Sequence, residues 1–94
     1  HSLFDRDAVV LTDVAKAVTL YAPGHDRSVT VSYPQMTYLG LWHTPKTRAP
    51  FLCLEPWVDV PARQGVVEEI SKKTHAIAVL PGESYENTWS ITLT

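Results

Sequence analysis

The sequence predicts an all-β fold, an antiparallel β-sandwich, and three observations support this prediction. Within residues 27–33 (RSVTVSY), apolar residues alternate with polar ones from Ser28 to Tyr33, which is the two-residue period of a half-buried strand. Proline and glycine separate apolar segments, as at residues 22–26 (APGHD) and 81–82, where turns are expected. Helical signals are scarce, since only residues 66–73 (VVEEISKK) could form a short helical turn.

About seven strands are expected. Each is a segment in which β-branched, aromatic or other apolar residues dominate and which turn-forming residues bound. In chain order these segments cover residues 8–12, 16–21, 27–33, 36–42, 51–57, 75–80 and 85–94. Seven short strands also fit an immunoglobulin-like count, but the Cys-Trp-Cys pattern of antibody domains is absent.

The connections between the strands carry further signals. Residues 22–26 are short enough to join the strands on either side of them in a hairpin. Gly40, inside the strand 36–42 (MTYLGLW), indicates a bulge or the close approach of another group. The loop 43–50 (HTPKTRAP) is polar, and residues 59–65 (DVPARQG) are rich in turn-forming types.

Size and composition exclude several classes of function. The 94 residues suffice for one small domain, and 45% hydrophobic with 19% charged residues is typical of a globular chain. A net charge of −2 and the lack of a Lys/Arg stripe argue against a nucleic-acid partner. No apolar segment approaches the roughly 18 residues of a membrane span, so no membrane partner is expected.

Two further features bear on context. Cys53 is the single cysteine, so no internal disulfide can form and a reducing cytoplasm is the expected location. The chain starts at His1 rather than at a methionine, inside a mixed polar and apolar pattern. Residues 1–94 are therefore expected to be either a single domain or a fragment of a larger one.

The most informative segment is FLCLEPW, Phe51 to Trp57, because it holds a carboxylate inside an apolar strand. If the strand is regular, Glu55 shares one face with Phe51, Cys53 and Trp57. These neighbours would partly desolvate the carboxylate, and desolvation raises its pKa. Such a glutamate beside aromatic rings suits proton transfer on a polar ligand such as a sugar. The alternative is an ion-paired or edge-exposed glutamate at a strand end.

Four segments together resemble part of a known family. In order they are FDRDAVVL, YLGLWHTP, FLCLEPW and LPGESYENTWSITL, and the most specific element is CLEPW followed by LPGESY. They are similar to the C-terminal part of the aldose 1-epimerase (galactose mutarotase) superfamily, in particular to its LacX-like branch. The resemblance spans nearly all of this chain but only the last third or so of a typical family member. It implies that residues 1–94 are the C-terminal portion of a larger β-sandwich domain.

The resemblance implies a fold and a reaction. Family members form a large antiparallel supersandwich with the sugar in a groove on one face. They interconvert the α and β anomers of free aldoses without a metal or another cofactor. A carboxylate base takes the proton of the anomeric hydroxyl, a histidine acid protonates the ring oxygen, and the opened ring closes on either face. The implied function is that of an isomerase of carbohydrate metabolism that acts on a hexose or a related sugar.

The resemblance also assigns the polar site residues. Glu55 falls on the position of the family's base, whereas the histidine acid comes from an upstream part that this chain lacks. Asp7 matches an acidic residue that hydrogen-bonds sugar hydroxyls, although the local register could equally select Asp5. The alternative for either aspartate is an exposed or turn-capping role. His43 is a candidate sugar contact, but not the acid.

Two of the three tryptophans complete the set of candidates. Trp42 and Trp57 are candidate sugar-binding residues, because an indole face can cover the apolar side of a pyranose. The alternative for each of them is a place in the core. Trp89 alternates with Ile91 and Leu93, and it is expected in the core.

A second functional interpretation is a non-catalytic carbohydrate-binding or structural β-sandwich module. A base without its acid should catalyse poorly, so the groove could bind a sugar without turnover. Exposed sheet edges favour association with further polypeptide. The expected partners are therefore a sugar and either the missing N-terminal portion of the same fold or a second copy of the chain.

Overall fold

A computed structural model describes residues 1–62 and 65–94, and it confirms the all-β prediction. The strands within these residues are β1 Val9–Leu11, β2 Ala17–Tyr21, β3 Ser28–Ser32, β4 Tyr38–Trp42, β5 Cys53–Trp57 and β6 Ser90–Leu93. They form two antiparallel three-stranded sheets with the orders β1-β4-β5 and β2-β3-β6. The turn predicted at residues 59–65 includes residues 63 and 64, which lie outside the described residues.

Helical structure is minor, as the sequence predicts. Ser2–Phe4 and Ile70–Lys72 form short 3-10 helices, the second within the segment expected to form a helical turn. In the described ranges, no helix has the length and the apolar character that crossing a membrane requires.

The predicted hairpin joins β2 and β3. Its strands pair in one continuous register from Ala17 opposite Ser32 to Tyr21 opposite Ser28. The turn between them closes through a hydrogen bond from the His25 N–H to the Ala22 carbonyl at 3.1 Å. Gly24 adopts φ +83° there, a conformation that favours glycine. The turn therefore sets the register that places the apolar face of β3 against the core.

The core lies between the two sheets. Its buried side chains are Val31 of β3, Leu39 of β4 and Tyr33, which follows β3. Further apolar side chains from both sheets pack against them, namely Leu11, Val14, Val18, Met36, Leu41 and Leu54. Because alternate residues of a strand face opposite ways, the inward Leu39, Leu41 and Leu54 leave the intervening residues on the outer face of their sheet.

Tyr33 connects this core to the start of β2. Its side chain is 0% exposed, and its hydroxyl donates a hydrogen bond to the carbonyl of Ala15 at 2.9 Å. Its backbone N–H donates to the Lys16 carbonyl at 2.8 Å. Burial raises the pKa of the Tyr33 phenol above its ordinary value of 10.0. The residue therefore anchors the segment that leads into the hairpin.

The C-terminal third departs from the strand prediction. Residues 75–80 (HAIAVL) have the composition of a strand, but they pair with no strand among the described residues, so that prediction is wrong. Of the predicted strand 85–94, only Ser90–Leu93 forms, paired with β3. Side-chain pattern predicts which residues suit a strand, whereas strand formation also needs a neighbouring backbone to complete the hydrogen bonds.

The segment before β6 is held by a side chain instead of a ladder. The Gln35 side-chain amide donates to the Glu86 carbonyl at 3.1 Å, and its oxygen accepts from the Thr88 N–H at 2.8 Å. One glutamine thus bonds two backbone groups of residues 85–89 in the manner of a strand neighbour. This contact holds the segment close to the connection between β3 and β4.

The expectation that Trp89 lies in the core is also wrong. Trp89 is 54% exposed, and Ile91 and Leu93 of β6 are 54% and 76% exposed. Ile91 is the register partner of buried Val31, so the inner face of the second sheet continues past the core onto β6. The first sheet covers β2 and β3 only in part and leaves the inner face of β6 open.

Candidate functional site

The outer face of the first sheet carries the candidate site. Antiparallel register places Glu55 of β5 opposite Gly40 of β4, which in turn lies opposite Val10 of β1. On the same face, Cys53 pairs with Trp42 and Trp57 pairs with Tyr38. The predicted common face is therefore confirmed for Cys53, Glu55 and Trp57, and the side chains of three strands surround the carboxylate. Phe51, predicted on the same face, precedes β5 and lines a different cavity.

A groove of about 400 Å³ lies above this face. Its volume falls within the range of small-molecule sites. Four of the five candidate residues line it together, namely Asp7, Trp42, Glu55 and Trp57. The rest of the lining consists of Ala8, Val10 and Pro61, so the walls are largely apolar.

Glu55 is half-buried in this groove. Its carboxylate makes no hydrogen bond and no ion pair within 4 Å to the described residues. The ion-paired alternative considered for this glutamate therefore finds no partner among residues 1–62 and 65–94. Its carboxylate is left available to a ligand that enters the groove.

Two indole rings flank the carboxylate. Trp57 lies across Gly40, where a Cβ atom built on the glycine would come within 2.9 Å of the indole Cζ2. The close approach predicted at Gly40 is thus confirmed, and the approaching group is the indole of Trp57. Trp42 is half-buried and packs against Phe51, with ring centroids 6.1 Å apart. Both tryptophans border the groove instead of filling the core, and such rings suit the apolar side of a pyranose.

The structure separates the two aspartates between which the sequence could not choose. Asp7 lines the groove, and its Oδ1 accepts a hydrogen bond from the Ala8 N–H at 2.8 Å. Asp5 points elsewhere, because its Oδ1 accepts from the backbone N–H of Lys46 at 3.1 Å. Asp5 therefore stabilises the loop between β4 and β5, whereas the carboxylate of Asp7 lies at the groove.

His43 does not line the groove. It is 3% exposed, and the Phe4 ring covers it with a centroid distance of 4.3 Å. Its Nδ1 donates to the Thr44 carbonyl at 2.8 Å, and its Nε2 lies 3.2 Å from His1 Nδ1. Nδ1 carries a proton, because a carbonyl oxygen can only accept a hydrogen bond. In this structure the histidine packs beneath the N-terminal 3-10 helix.

Sequence reasoning did not select Val10 and Pro61 as groove residues. The alternation of AVVLT already places Val10 on the face opposite Val9 and Leu11, so its position follows once β1 is known to pair with β4. Pro61 carries no comparable signal, because it belongs to the irregular segment after β5.

Two larger cavities suit a small polar ligand less well. One of about 1010 Å³ opens between the sheets, with Leu20, Val29, Phe51 and Leu93 in its lining. Much of its lining is exposed to solvent, with Tyr21 at 68% and Leu93 at 76%, and its described lining holds no aspartate or glutamate. The other, about 520 Å³, contains Asp59 and Lys73, whose charged atoms lie 3.7 Å apart, so these two charges compensate each other.

The groove can bind a polar molecule and accept a proton from it. It supplies two carboxylates, those of Asp7 and Glu55, between apolar walls and two indoles. No group of three or more metal-ligating side chains occurs among residues 1–62 and 65–94. The two carboxylates and two indoles offer hydrogen bonding, stacking and general-base catalysis.

Comparisons with known proteins find a distant likeness. The chain is 28% identical over 94 residues to two curated proteins of Lactococcus lactis subsp. lactis, "Protein LacX, chromosomal" and "Protein LacX, plasmid". No protein-family model matches the chain, and no solved structure matches it. The likeness covers 99% of this chain and 31% of each relative, so the chain spans about a third of the length of the curated relatives it matches.

Proposed function

We propose that this chain carries the general base and part of the sugar groove of an aldose 1-epimerase-like mutarotase. The observation that carries the proposal is the carboxylate of Glu55, half-buried and unpaired among the described residues, between two indoles in a groove of about 400 Å³. The likeness to the LacX proteins and the segments similar to the aldose 1-epimerase superfamily support the same class of reaction. The reducing cytoplasm is the proposed location.

In the proposed reaction, Glu55 takes the proton of the anomeric hydroxyl of a hexose. The bond between the anomeric carbon and the ring oxygen breaks, the anomeric carbon becomes a carbonyl, and the ring oxygen receives a proton from an acid. That acid lies outside the groove's described lining, whose titratable side chains are Asp7 and Glu55. Rotation of the carbonyl and closure of the ring return both protons and yield either anomer. No cofactor enters the proposed scheme.

The remaining groove residues have binding roles in this proposal. The indoles of Trp42 and Trp57 cover the C–H faces of the pyranose. Asp7 accepts hydrogen bonds from sugar hydroxyls that do not react. Orientation by these groups would place the anomeric hydroxyl within hydrogen-bond reach of Glu55, which general-base catalysis requires.

Polarimetry tests the catalytic role. The protein at its natural length is added to freshly dissolved α-glucose or α-galactose, and the change in optical rotation is compared with the uncatalysed rate. Glu55→Gln keeps the shape of the side chain but removes the base, so we expect the catalysed rate to fall by about 100-fold or more. Glu83→Gln, at an exposed glutamate outside the groove, is the matched control and should leave the rate unchanged.

An unchanged rate in Glu55→Gln would remove Glu55 from the mechanism. Binding measured alongside distinguishes lost catalysis from lost affinity, because a variant that has lost only the base still binds the sugar. Wild-type protein that accelerates the mutarotation of neither sugar nor of any other common hexose would sink the enzymatic proposal.

A non-catalytic carbohydrate-binding module is the second candidate. The described lining of the groove favours it in one respect, because that lining holds carboxylates and indoles but no histidine. Such a module would bind a sugar on the same indoles and release it unchanged. Quenching or a spectral shift of tryptophan emission on sugar titration, lost in Trp57→Phe, with no acceleration of mutarotation would support this candidate over the enzyme.

We also propose that further polypeptide of the same fold, corresponding to the other two thirds of the relatives, covers the open inner face of β6. The solvent-accessible surface is 7536 Å². A compact folded monomer of 10.5 kDa would expose only about 5,400 Å². The radius of gyration is 16.0 Å, against roughly 12 Å for a compact domain of this length. The excess area of about 2,100 Å² is of the size that permanent interfaces bury.

One pair of variants tests this cover in the protein at its natural length. If the inner face is covered, Leu93→Asp buries a charge and should lower the free energy of unfolding by about 2 kcal/mol or more. Thr92→Asp, on the opposite face of the same strand, should change it by less than about 0.5 kcal/mol. If both substitutions change the free energy of unfolding equally and by little, the proposal that further polypeptide covers the inner face of β6 is refuted. Dimers that Leu93→Asp dissociates, seen by sedimentation, would assign the face to a second copy instead.

A further inference from the structure

Gly40 lies in the middle of β4 and is buried. Its backbone conformation does not require a glycine. The described glycines with positive φ are Gly24, Gly65 and Gly82, at +83°, +73° and +83°. Gly40 is not one of them, and it sits in a regular antiparallel ladder between Val10 and Glu55. An alanine could therefore adopt the same backbone conformation, so the reason for a glycine must be the space that its missing side chain leaves.

The indole of Trp57 occupies that space. A Cβ atom at Gly40 would lie 2.9 Å from Cζ2 and 3.2 Å from both Cε2 and Cη2 of the indole. Real Cβ atoms essentially never approach another heavy atom closer than 3.0 Å. An indole is a rigid plane with two side-chain torsions, so it would have to shift as a whole to admit a methyl group.

The same position is the cross-strand partner of the proposed base. Glu55 faces Gly40 directly in the register, and Trp57 follows Glu55 two residues later on the same face. The indole therefore reaches over the backbone of β4 beside the carboxylate. How closely the indole packs against β4 therefore determines how much room a ligand has in the groove.

We propose that Gly40 is a positioning residue for the sugar site, because its missing side chain lets the Trp57 indole lie flat against β4 beside Glu55. The inference rests on the proposed function, since it takes the groove to be the site of a pyranose. An alanine at Gly40 would lift the indole by several tenths of an ångström. The lifted ring would narrow the groove and weaken sugar binding, while the carboxylate of Glu55 would keep its backbone position.

A double-mutant cycle in the protein at its natural length tests the coupling between the two residues. Phenylalanine at position 57 keeps an aromatic surface but lacks the Cζ2 and Cη2 atoms of the indole. Gly40→Ala is expected to raise KM, or the Kd measured by titration, by about tenfold when residue 57 is tryptophan. The same change should cost less than about twofold in the Trp57→Phe background. The effect on kcat should be smaller than the effect on KM in the tryptophan background.

A second measurement does not depend on sugar. The indole N–H resonance of Trp57, assigned by its loss in Trp57→Phe, should shift in Gly40→Ala, whereas the resonance of distant Trp89 should not. An unmoved Trp57 resonance would overturn the packing that the inference requires. A shifted resonance with unchanged sugar affinity would overturn the positioning role. If wild-type protein neither binds nor converts any hexose, the proposed function fails, and the resonance still decides whether Gly40 positions the indole.

Discussion

Tyr33→Phe should lower stability by an amount that the structure allows us to estimate. The change keeps the buried ring and removes only the hydroxyl that donates to the Ala15 carbonyl at 2.9 Å. A neutral hydrogen bond contributes about 1 kcal/mol net, and a buried acceptor left without a donor costs more. Ala15 is exposed, so water can reach its carbonyl after the change, which keeps the estimate at about 1 kcal/mol. The melting temperature should then fall by roughly 4–8 °C in a domain of this size.

The same variant tests the pH dependence. Burial raises the pKa of Tyr33 above 10.0, so the folded protein holds the phenolic proton more tightly than the unfolded chain does. This contribution is fully present below pH 10 and is lost as the pH rises through the folded-state pKa. Phenylalanine has no proton to lose. The stability difference between wild type and Tyr33→Phe should therefore become smaller above pH 10.

Urea unfolding followed by circular dichroism, at pH 7 and at several pH values above 10, measures both effects. Tyr21→Phe is the matched control, since Tyr21 is 68% exposed on the neighbouring strand β2 and its hydroxyl makes no described hydrogen bond. It should change stability by less than about 0.5 kcal/mol. Equal losses for the two substitutions, or a difference that does not depend on pH, would refute the assignment of Tyr33 as the buried, hydrogen-bonded tyrosine.

Two further predictions concern the core and the groove. Leu39→Ala, at a side chain only 2% exposed between the sheets, should cost about 2–5 kcal/mol in urea unfolding, whereas Val79→Ala at an exposed position should cost little. Asp7→Asn should weaken sugar binding by about tenfold or more, because hydrogen bonds to a charged group are the stronger ones. Asp5→Asn should leave binding unchanged, since an asparagine oxygen can still accept from the Lys46 N–H; similar affinity losses in both variants would show that Asp7 has no special place at the sugar.

The sequence was most predictive where one local pattern determines one local structure. Alternation placed Cys53, Glu55 and Trp57 on one face, and Pro23-Gly24 marked the hairpin turn. Gly40 indicated a close approach because glycine weakens a strand interior unless a bulge or a neighbouring group requires it there. The sequence could not say that the approaching group is Trp57, because that contact depends on which strand pairs with β4 and in which register.

It was least predictive where a segment depends on a distant neighbour. Residues 75–80 have the composition of a strand, but a strand also needs a paired backbone, and none of the described strands supplies one. Trp89 has core-like spacing on a face that the first sheet does not reach. His43 lies next to Trp42 in the chain, but it is covered by the ring of Phe4, a residue distant from it in the sequence. In each case the outcome depends on residues that are far apart in the sequence, and a local sequence pattern carries no information about such contacts.

The two faces of β5 have a consequence for how the gene can change. Leu54 packs into the interior, while Cys53, Glu55 and Trp57 lie on the outer face of the sheet that carries the groove, so adjacent codons serve different requirements. A saturation library over residues 53–57, sorted once for abundance and once for ligand capture, should give two tolerance profiles displaced by one residue. Selection for a new ligand could then alter every second position without passing through poorly folded intermediates.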